Sequence, residues 1–393
     1  MKKGWEYKTL GEVAEFISGY TPPKEFIVSQ GNIPYFKVAE MNLLGNELYL
    51  TRTNLYVERT KRIIPQGSIV FPKNGGAIFT NKKRILSQNS VVDLNTEALN
   101  PNKSYTTTEF LYYILQFIDL GSFDNGGGLP SINIRKMKGH PIPIPPLSEQ
   151  EEIVSRLDKA FEKIDTLRHN AEKSITTAQQ LFQSSLTNLL TPQPHWDRKT
   201  LGAVCEVING LWKGKKEPFV NVGVIRNTNF TKDFALRYDN IEWLDVEARQ
   251  FAKRKLCKGD LIVEKSGGSE KQPVGRAVLF EMEDGEYSFS NFTSVLRIKD
   301  KQLTCYYLYY YLLSVYLRGD TKSMQKATTG IHNIEMDKYL LIPIPIIPLP
   351  EQATIVTKLN SLSAKVKQLK DNYTRTVALC DEMKQALLKE VFE

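Results

Sequence analysis

The chain contains two copies of one sequence pattern, and this internal repeat constrains its fold more than any other feature. Residues 5–19 (WEYKTLGEVAEFISG) match residues 196–210 (WDRKTLGAVCEVING) at nine of fifteen positions. A proline-rich run at 141–150 (PIPIPPLSEQ) returns at 343–352 as PIPIIPLPEQ. Because two copies of a sequence fold as two similar structural units, we predict a tandem duplication.

The two copies agree at their ends and differ in their middles. The turn sequence KNGG at 73–76 returns as KSGG at 265–268, but the offset between the copies grows from 191 residues at the start to 202 at the end. Each middle block combines short β-prone runs with one aromatic-rich helix. The runs include Gly67–Phe71, Asp260–Val263, Arg276–Phe280 and Ser294–Ile298, and the helices are Thr108–Ile118 and Thr304–Leu317. We therefore expect an α+β fold with two α/β domains that perform two versions of one task.

Each copy ends in a long predicted helix. Ser148 and Glu151 fit a capping box at the start of the first helix. In both helices, apolar or small residues then recur at alternating steps of four and three residues, which is typical of a coiled-coil seam. The predicted seam is formed by Ile153, Leu157, Ala160, Ile164, Leu167, Ala171, Ser174, Ala178 and Leu181, and by Ile355, Leu359, Leu362, Val366, Leu369, Tyr373, Thr376, Cys380 and Met383.

These features divide the chain into four predicted segments. Residues 1–146 and 192–348 are the two domains, and residues 147–191 and 349–393 are the two long helices. We expect the helices to form an antiparallel, pseudo-two-fold coiled coil that separates the domains. Two amphipathic helices that lie separately on their own domains are the alternative.

The formal net charge is +8, and the excess of positive charge lies in the two domains. Residues 1–146 carry 17 Lys and Arg against 12 Asp and Glu, and residues 195–347 carry 23 against 19. An anionic partner such as DNA would favour this distribution. The longest apolar run, Tyr339–Leu349, is interrupted by prolines, and no apolar stretch follows the first five residues, so we expect a soluble cytoplasmic protein.

The sequence offers no pattern of a metal or catalytic site. The four cysteines form no CxxC pair and the four histidines are scattered, so we predict reduced thiols and no metal. Adenine methylation needs an Asn/Asp-Pro-Pro-Tyr/Phe segment, and the nearest run, Asn32–Tyr35, lacks the first of those prolines and follows no glycine-rich cofactor loop. A self-contained DNA methyltransferase and a coiled-coil scaffold that binds only protein are the less favoured alternatives.

The combination of these motifs resembles the DNA-specificity subunits of type I restriction-modification systems. The resemblance covers nearly the whole chain and is carried by residues 5–19 and 196–210 and by the runs that end in Leu147–Gln150 and Leu349–Gln352. It implies two target-recognition domains, each of which reads half of a bipartite double-stranded DNA site. It also implies that the chain is not catalytic and recruits two DNA adenine-methyltransferase subunits and restriction/translocase subunits. Those partners, not this chain, would use S-adenosylmethionine, ATP and Mg²⁺.

Candidate DNA contacts combine the repeated turn with basic clusters that contain polar or aromatic residues. Glycines let backbone N–H groups approach a phosphate, while Lys, Arg, Asn and Ser can contact phosphates or base edges. The alternatives are a plain hairpin turn for the repeated sequence and a solvated surface for each basic cluster. The predicted residues are Tyr20, Thr21, Lys73, Asn74, Gly75, Gly76, Lys82, Lys83, Arg84, Trp212, Lys213, Lys215, Lys216, Lys253, Arg254, Lys255, Lys265, Ser266, Gly267, Gly268, His332 and Asn333.

Overall fold

The protein divides into two compact units, each of which contains one repeat and parts of both long helices. The first unit is formed by Met1–Glu172 and Thr374–Glu393, and the second by Lys173–Tyr373. This division cuts across the four predicted segments, whose boundaries stay a prediction. The computed structural model describes residues 4–60, 62–212, 214–270, 272–328 and 330–393.

The first unit is built around a mainly antiparallel sheet. Its strands are β1 (Glu6–Thr9), β2 (Ala14–Ser18), β3 (Ile27–Val28), β4 (Ile33–Phe36), β5 (Tyr49–Leu50), β6 (Tyr56–Val57), β7 (Ile69–Pro72), β8 (Arg84–Leu86), β9 (Val91–Val92), β10 (Thr96–Pro101) and β11 (Pro141–Ile144). The main sheet has the order β2-β10-β7-β8-β5, a second sheet has the order β3-β6-β4-β9, and β1 pairs with β11. The helices are α1 (Leu10–Val13), α2 (Thr108–Phe117), α3 (Ile134–Lys138) and the long α4 (Leu147–Leu190), which belongs to the second unit from Lys173 onward.

The second unit repeats the main sheet and the separate strand pair of the first unit. Its strands are β12 (Asp197–Thr200), β13 (Cys205–Asn209), β14 (Phe219–Ile225), β15 (Glu242–Glu247), β16 (Leu261–Glu264), β17 (Ser266–Gly268), β18 (Ala277–Leu279), β19 (Tyr287–Phe289), β20 (Thr293–Ile298), β21 (Gln325–Thr328), β22 (Ile331–Ile334) and β23 (Pro343–Ile346). The order β13-β20-β16-β18 repeats β2-β10-β7-β8, and β12-β23 repeats β1-β11. The helices are α5 (Leu201–Val204), α6 (Ala248–Ala252), α7 (Cys305–Leu317), α8 (Met336–Tyr339) and the long α9 (Leu349–Phe392), which belongs to the first unit from Thr374 onward.

The predicted aromatic-rich helices are present as α2 and α7, and they form the centres of the two cores. In α2, Phe110, Leu111 and Ile114 are buried, which is the spacing of one helix face. Thr107 caps this helix, because its hydroxyl accepts the Phe110 N–H at 3.1 Å. The predicted α+β fold with a duplicated frame is therefore confirmed.

The long helix α4 begins one residue before the predicted N-cap. The carbonyl of Pro146 accepts the backbone N–H of Gln150 at 3.0 Å, so Ser148 lies inside the first turn and does not cap the helix. Within the described ranges, no helix combines the length and the apolar character that crossing a membrane requires.

The repeated glutamines explain why the proline-rich runs end in the same residues. Gln150 is fully buried; its amide donates to the Tyr105 and Pro145 carbonyls at 2.8 and 2.9 Å, and its oxygen accepts the Thr107 N–H at 3.1 Å. Gln352 makes the same pattern of bonds in the second unit. Each glutamine thus joins the start of a long helix to the N-cap of α2 or α7.

The two long helices share the core of each unit. In the first unit, Phe392 near the end of α9 packs edge-on against Phe110, with ring centroids 5.7 Å apart. In the second unit, Leu186 and Leu190 near the end of α4 belong to the same apolar core as Leu359 near the start of α9.

Ion pairs show the antiparallel direction of the helices within the first unit. Lys384 lies 2.6 Å from Asp165, and Arg168 pairs with Asp381. The residue number on α9 falls as that on α4 rises, so the helices run in opposite directions there. The predicted antiparallel pairing is confirmed for this part of the coil.

Four predicted seam residues are exposed, and their prediction was wrong. They are Leu167, Leu181, Leu369 and Met383, which are 44%, 57%, 42% and 46% exposed. The other half of each predicted seam stays inside: every seventh residue from Leu157 to Ala178 is buried, and Leu359 and Cys380 are fully buried in the second helix. Of the two seam residues in each heptad, only one is therefore covered along both helices.

Candidate nucleic-acid interface

The first copy of the repeated turn is held by its backbone. The N–H of Lys73 donates to the Asn95 carbonyl at 2.7 Å, and its carbonyl accepts the Ile132 N–H at 2.9 Å. Gly75, whose φ of +76° favours glycine, donates to the Pro130 carbonyl at 2.7 Å. We call this surface, formed by Lys73–Gly76, Asn95 and Pro130–Ile132, the first turn cluster.

The second copy repeats this backbone pattern. The N–H of Lys265 donates to the Phe292 carbonyl at 2.9 Å, and its carbonyl accepts the Ile334 N–H at 2.8 Å. The two lysines therefore occupy equivalent places in the two units. We call this surface, formed by Lys265–Gly268, Phe292 and Ile331–Ile334, the second turn cluster.

The second turn cluster brings together two sets of predicted residues that lie far apart in the sequence. Ser266 faces Asn333 and Gly268 faces His332 in the antiparallel pair β17-β22. This pairing could not be predicted from the sequence, because neither segment has the length or alternation of a typical strand. His332 and Asn333 thus lie on the same surface as the repeated turn.

The two turn lysines differ in their electrostatic surroundings. The Lys73 ammonium lies 3.0 Å from a carboxylate oxygen of Glu97, whose side chain is 2% exposed. Glu97 also accepts a hydrogen bond from the Ser18 hydroxyl at 2.7 Å. In the part of the chain that the structure describes, no carboxylate pairs with Lys265, and burial lowers the pKa of its ammonium below the usual value.

Lys83 lies in the interior, and the prediction that it contacts DNA was wrong. Its side chain is fully buried, and its ammonium donates to the Ile118 carbonyl at 2.8 Å and to the Asn81 side-chain oxygen at 2.6 Å. Burial lowers the pKa of Lys83 to about 7. The side chain enters the core immediately before strand β8 and cannot reach a ligand in solvent.

Other candidates of the first unit are accessible to different degrees. The Lys82 ammonium contacts the side-chain oxygen of Asn42, and Arg84 is largely buried, which lowers the pKa of its guanidinium. Tyr20 is partly buried and Thr21 is exposed. Their contacts with DNA stay predictions.

Close packing of the backbone explains why both opening repeats end in glycine, at Gly19 and Gly210. A Cβ added to Gly19 would lie 2.0 Å from the Asp93 carbonyl oxygen, and one added to Gly210 would lie 1.9 Å from that of Ser290. Only glycine permits this close approach of two backbone segments. The repeat therefore fixes where both divergent loops begin.

The second unit exposes the loop that follows Gly210. Trp212 is 65% exposed, and Lys215 and Lys216 are exposed as well. Lys213 lies outside the described residues. This aromatic and basic loop remains a predicted DNA contact.

The second predicted basic cluster of this unit is only partly available. Lys253 is exposed, whereas the Arg254 guanidinium donates to the Asn209 carbonyl at 3.0 Å. The Lys255 ammonium lies 2.8 Å from a Glu286 carboxylate oxygen. Lys253 is therefore the member of this cluster with the most accessible charge.

Sequence reasoning missed the exposed apolar residues of the turn clusters. Leu129 is 72% exposed beside the first turn cluster, and Ile331 and Phe292 in the second turn cluster are 50% and 52% exposed. Apolar side chains at such positions can contact thymine methyl groups or base faces. The signal was a glycine followed by an apolar residue, which recurs at the offset of 202 in Gly128-Leu129 and Gly330-Ile331.

Among the described residues, no group of three or more His, Cys, Asp or Glu side chains could hold a metal ion. The thiol of Cys205 is buried, which raises its pKa to about 12. Tyr35, in the run nearest to a methyltransferase motif, is fully buried in strand β4. It cannot line an open base-binding pocket.

Known proteins show the same organisation. The sequence model described as "Type I restriction modification DNA specificity domain" matches residues 2–177 and 194–374, one match for each copy of the repeat. The StySPI specificity subunit of Salmonella potsdam is 20% identical over 100% of this chain and 89% of its own length. The MjaVIII specificity subunit of Methanocaldococcus jannaschii is 22% identical over 91% of this chain and 86% of its own length.

Solved structures share the fold. A chain from a structure that describes complex assembly and conformational transition of the type I R-M system has a TM-score of 0.76 at 19% identity, with coverage of 100% of this chain and 98% of that one. The HsdS subunit of Thermoanaerobacter tengcongensis has a TM-score of 0.56 at 19% identity, with coverage of 100% and 97%. Specificity subunits are the non-catalytic components of these systems. The chain belongs to the type I restriction modification DNA specificity family and is a specificity subunit.

Proposed function

We propose that the chain binds a bipartite double-stranded DNA site, with one half-site read by each unit. One observation carries this proposal: the two units keep the same backbone frame at their turn clusters but present different side chains there. The first turn cluster has Asn74 and Asn95 where the second has Ser266 and Phe292. A duplicated frame with different surfaces suits two readers of different base sequences.

The chemistry of the turn clusters supports contact with DNA. The second turn cluster combines a lysine, glycines and the exposed Ile331, and the exposed Leu129 lies beside the first turn cluster. A lysine can contact phosphates, and apolar side chains can contact base surfaces. The second unit adds the exposed Trp212 loop with its basic neighbours. The net charge of +8 favours approach to DNA as a whole.

We further propose that the chain recruits two DNA adenine-methyltransferase subunits and the restriction/translocase subunits of a type I enzyme. The family membership supports this part of the proposal. S-adenosylmethionine, ATP and Mg²⁺ would be used by those partners, and this chain would need no cofactor of its own.

The test measures binding of the full chain, alone and with its methyltransferase partner, to labelled duplex DNA at increasing salt concentration. We expect affinity to fall steeply with salt, because each neutralised phosphate contributes about −0.9 to the slope of log K against log salt. Selection from a random DNA pool should then return two short sequences separated by a fixed gap. Binding of the partner without binding of DNA would identify a protein scaffold, and methylation by the chain alone would identify an enzyme.

A further inference from the structure

The geometry points to Lys265 as a DNA-phosphate contact of the second turn cluster, and to Glu97 as the group that withholds Lys73 from the same role. This inference rests on the proposed DNA binding and deepens it, because it states which copy of the repeated lysine contributes. The sequence alone makes the two lysines look equivalent.

Strand register shows what differs between the two lysines. Ser18 faces Glu97 across β2-β10, and its repeat counterpart Asn209 faces Ser294 across β13-β20. Ser294 therefore occupies in the second unit the place that Glu97 occupies in the first. Ser294 is fully buried, and its hydroxyl lies 3.3 Å from the Asn209 side-chain oxygen.

In the first unit, the ion pair opposes phosphate binding. The Lys73 side chain is 16% exposed and its charge is compensated by Glu97 at 3.0 Å. A phosphate that captured Lys73 would leave the Glu97 carboxylate buried without its cation, which is strongly unfavourable. A phosphate near the pair would also be repelled by that carboxylate.

In the second unit, the nearest acid in sequence is already occupied. Glu264 accepts two hydrogen bonds from the Arg276 guanidinium, at 2.7 and 3.2 Å, and both side chains are buried. It is therefore not available to Lys265. Within the described ranges, the positive charge of Lys265 is partly desolvated and has no carboxylate partner, and an anion would stabilise it.

Two single substitutions give opposite expected results. The full chain would be titrated with a random-sequence duplex between 50 and 200 mM salt, so that no knowledge of the target is needed. Lys265→Ala should reduce the salt slope by about 0.9, which makes the loss of affinity across that range about threefold smaller. Glu97→Ser should release Lys73 and make the slope steeper by a similar amount.

Matched variants separate charge from folding. Lys265→Arg should keep the original slope, and Lys73→Ala combined with Glu97→Ser should return it to the wild-type value. Asn209→Ser with Ser294→Glu transfers the first unit's carboxylate to the second unit and should reproduce the effect of Lys265→Ala. Thermal unfolding of each variant identifies any that fail to fold, and Lys265→Ala, at a partly exposed site, provides the decisive measurement.

The outcomes distinguish this inference from the proposed function. If wild-type chain binds DNA with a steep salt slope that Lys265→Ala leaves unchanged, this inference is overturned and DNA binding stands. If wild-type chain binds no DNA in any assay, both are overturned. An equal loss of slope in Lys265→Ala and in the single substitution Lys73→Ala would show that Glu97 does not withhold its lysine.

Discussion

The first unit buries a lysine where the second buries an alanine. Arg84 and Val278 occupy the same register on the paired strands β7-β8 and β16-β18, so the preceding residues, Lys83 and Ala277, are equivalent. Lys83 is fully buried and Ala277 is 2% exposed. The same frame therefore accepts a polar or an apolar side chain at one interior position.

The second unit buries charge at a different place. Glu264 and Arg276 form an ion pair beneath the second turn cluster, whereas Pro72 stands at the end of strand β7 in the position of Glu264. Duplication therefore preserved the backbone frame and its glutamine anchors, while each unit acquired its own buried charges.

The largest expected effect concerns the ion pair that only the second unit has. Glu264→Ala leaves the buried guanidinium of Arg276 without its partner, and we expect it to lower the free energy of unfolding of the second unit by about 3–5 kcal/mol. Hydrogen exchange in urea, read on peptides of each unit, should show the loss in β16 and not in β7. The double variant Glu264→Leu, Arg276→Leu should recover most of the lost free energy of unfolding. If it does not, the loss comes from altered packing and not from the unpaired charge.

The glutamine anchors should be equally important in both units. Gln150→Ala and Gln352→Ala each leave buried backbone groups unpaired, at a cost of about 1–3 kcal/mol in the free energy of unfolding. Urea unfolding of the two variants measures this directly. The exposed Gln179 and Gln368 on the same helices are matched controls, for which alanine should change stability by less than about 0.5 kcal/mol. A large loss in one unit alone would contradict the equivalence of the anchors.

The duplicated fold of the protein could be predicted from its sequence, but the burial and pairing of its charged side chains could not. The duplication, the long helices and the aromatic helices α2 and α7 follow from motifs and periodicity, which are local. Lys83 belongs to a run of three basic residues, which is typical of a solvated surface. Its side chain is nevertheless buried, because the register of β8 directs it into the core. Likewise, the charge of Lys73 is compensated by Glu97, which is 24 residues away in the sequence and lies on the neighbouring strand β10.

Lys83 should give the first unit a pH dependence that has no source at the equivalent position of the second unit, which is Ala277. Its pKa is about 7 in the folded chain and 10.5 is the usual value, so between these limits the unfolded chain binds a proton that the folded chain does not. The free energy of unfolding should therefore rise with pH in this window, by up to about 1.4 kcal/mol per pH unit. Below pH 7 both states bind the proton, so Lys83 adds no slope there. Urea unfolding of the first unit between pH 7 and 9 measures the slope.

Two variants test the origin of this slope. Lys83→Met removes the titrating group and should flatten the dependence, whereas Lys253→Met, which removes an exposed lysine of the second unit, should leave it unchanged. An identical slope in Lys83→Met and wild-type chain would assign the pH dependence to other groups.

The smallest expected effects test whether the same position of the predicted seam is buried in both long helices. Leu167 and Leu369 occupy seam positions under a strict heptad but are 44% and 42% exposed, so their substitution by alanine should cost less than about 1 kcal/mol. Leu157 and Leu359 lie three positions earlier in the same predicted seams and are 1% and 0% exposed, and for them the same change should cost about 2–5 kcal/mol. Urea unfolding of the four variants gives two matched pairs. Because the same seam position is exposed in both helices, the two pairs should agree; a costly Leu167→Ala with a harmless Leu369→Ala would mean that the two helices are packed differently.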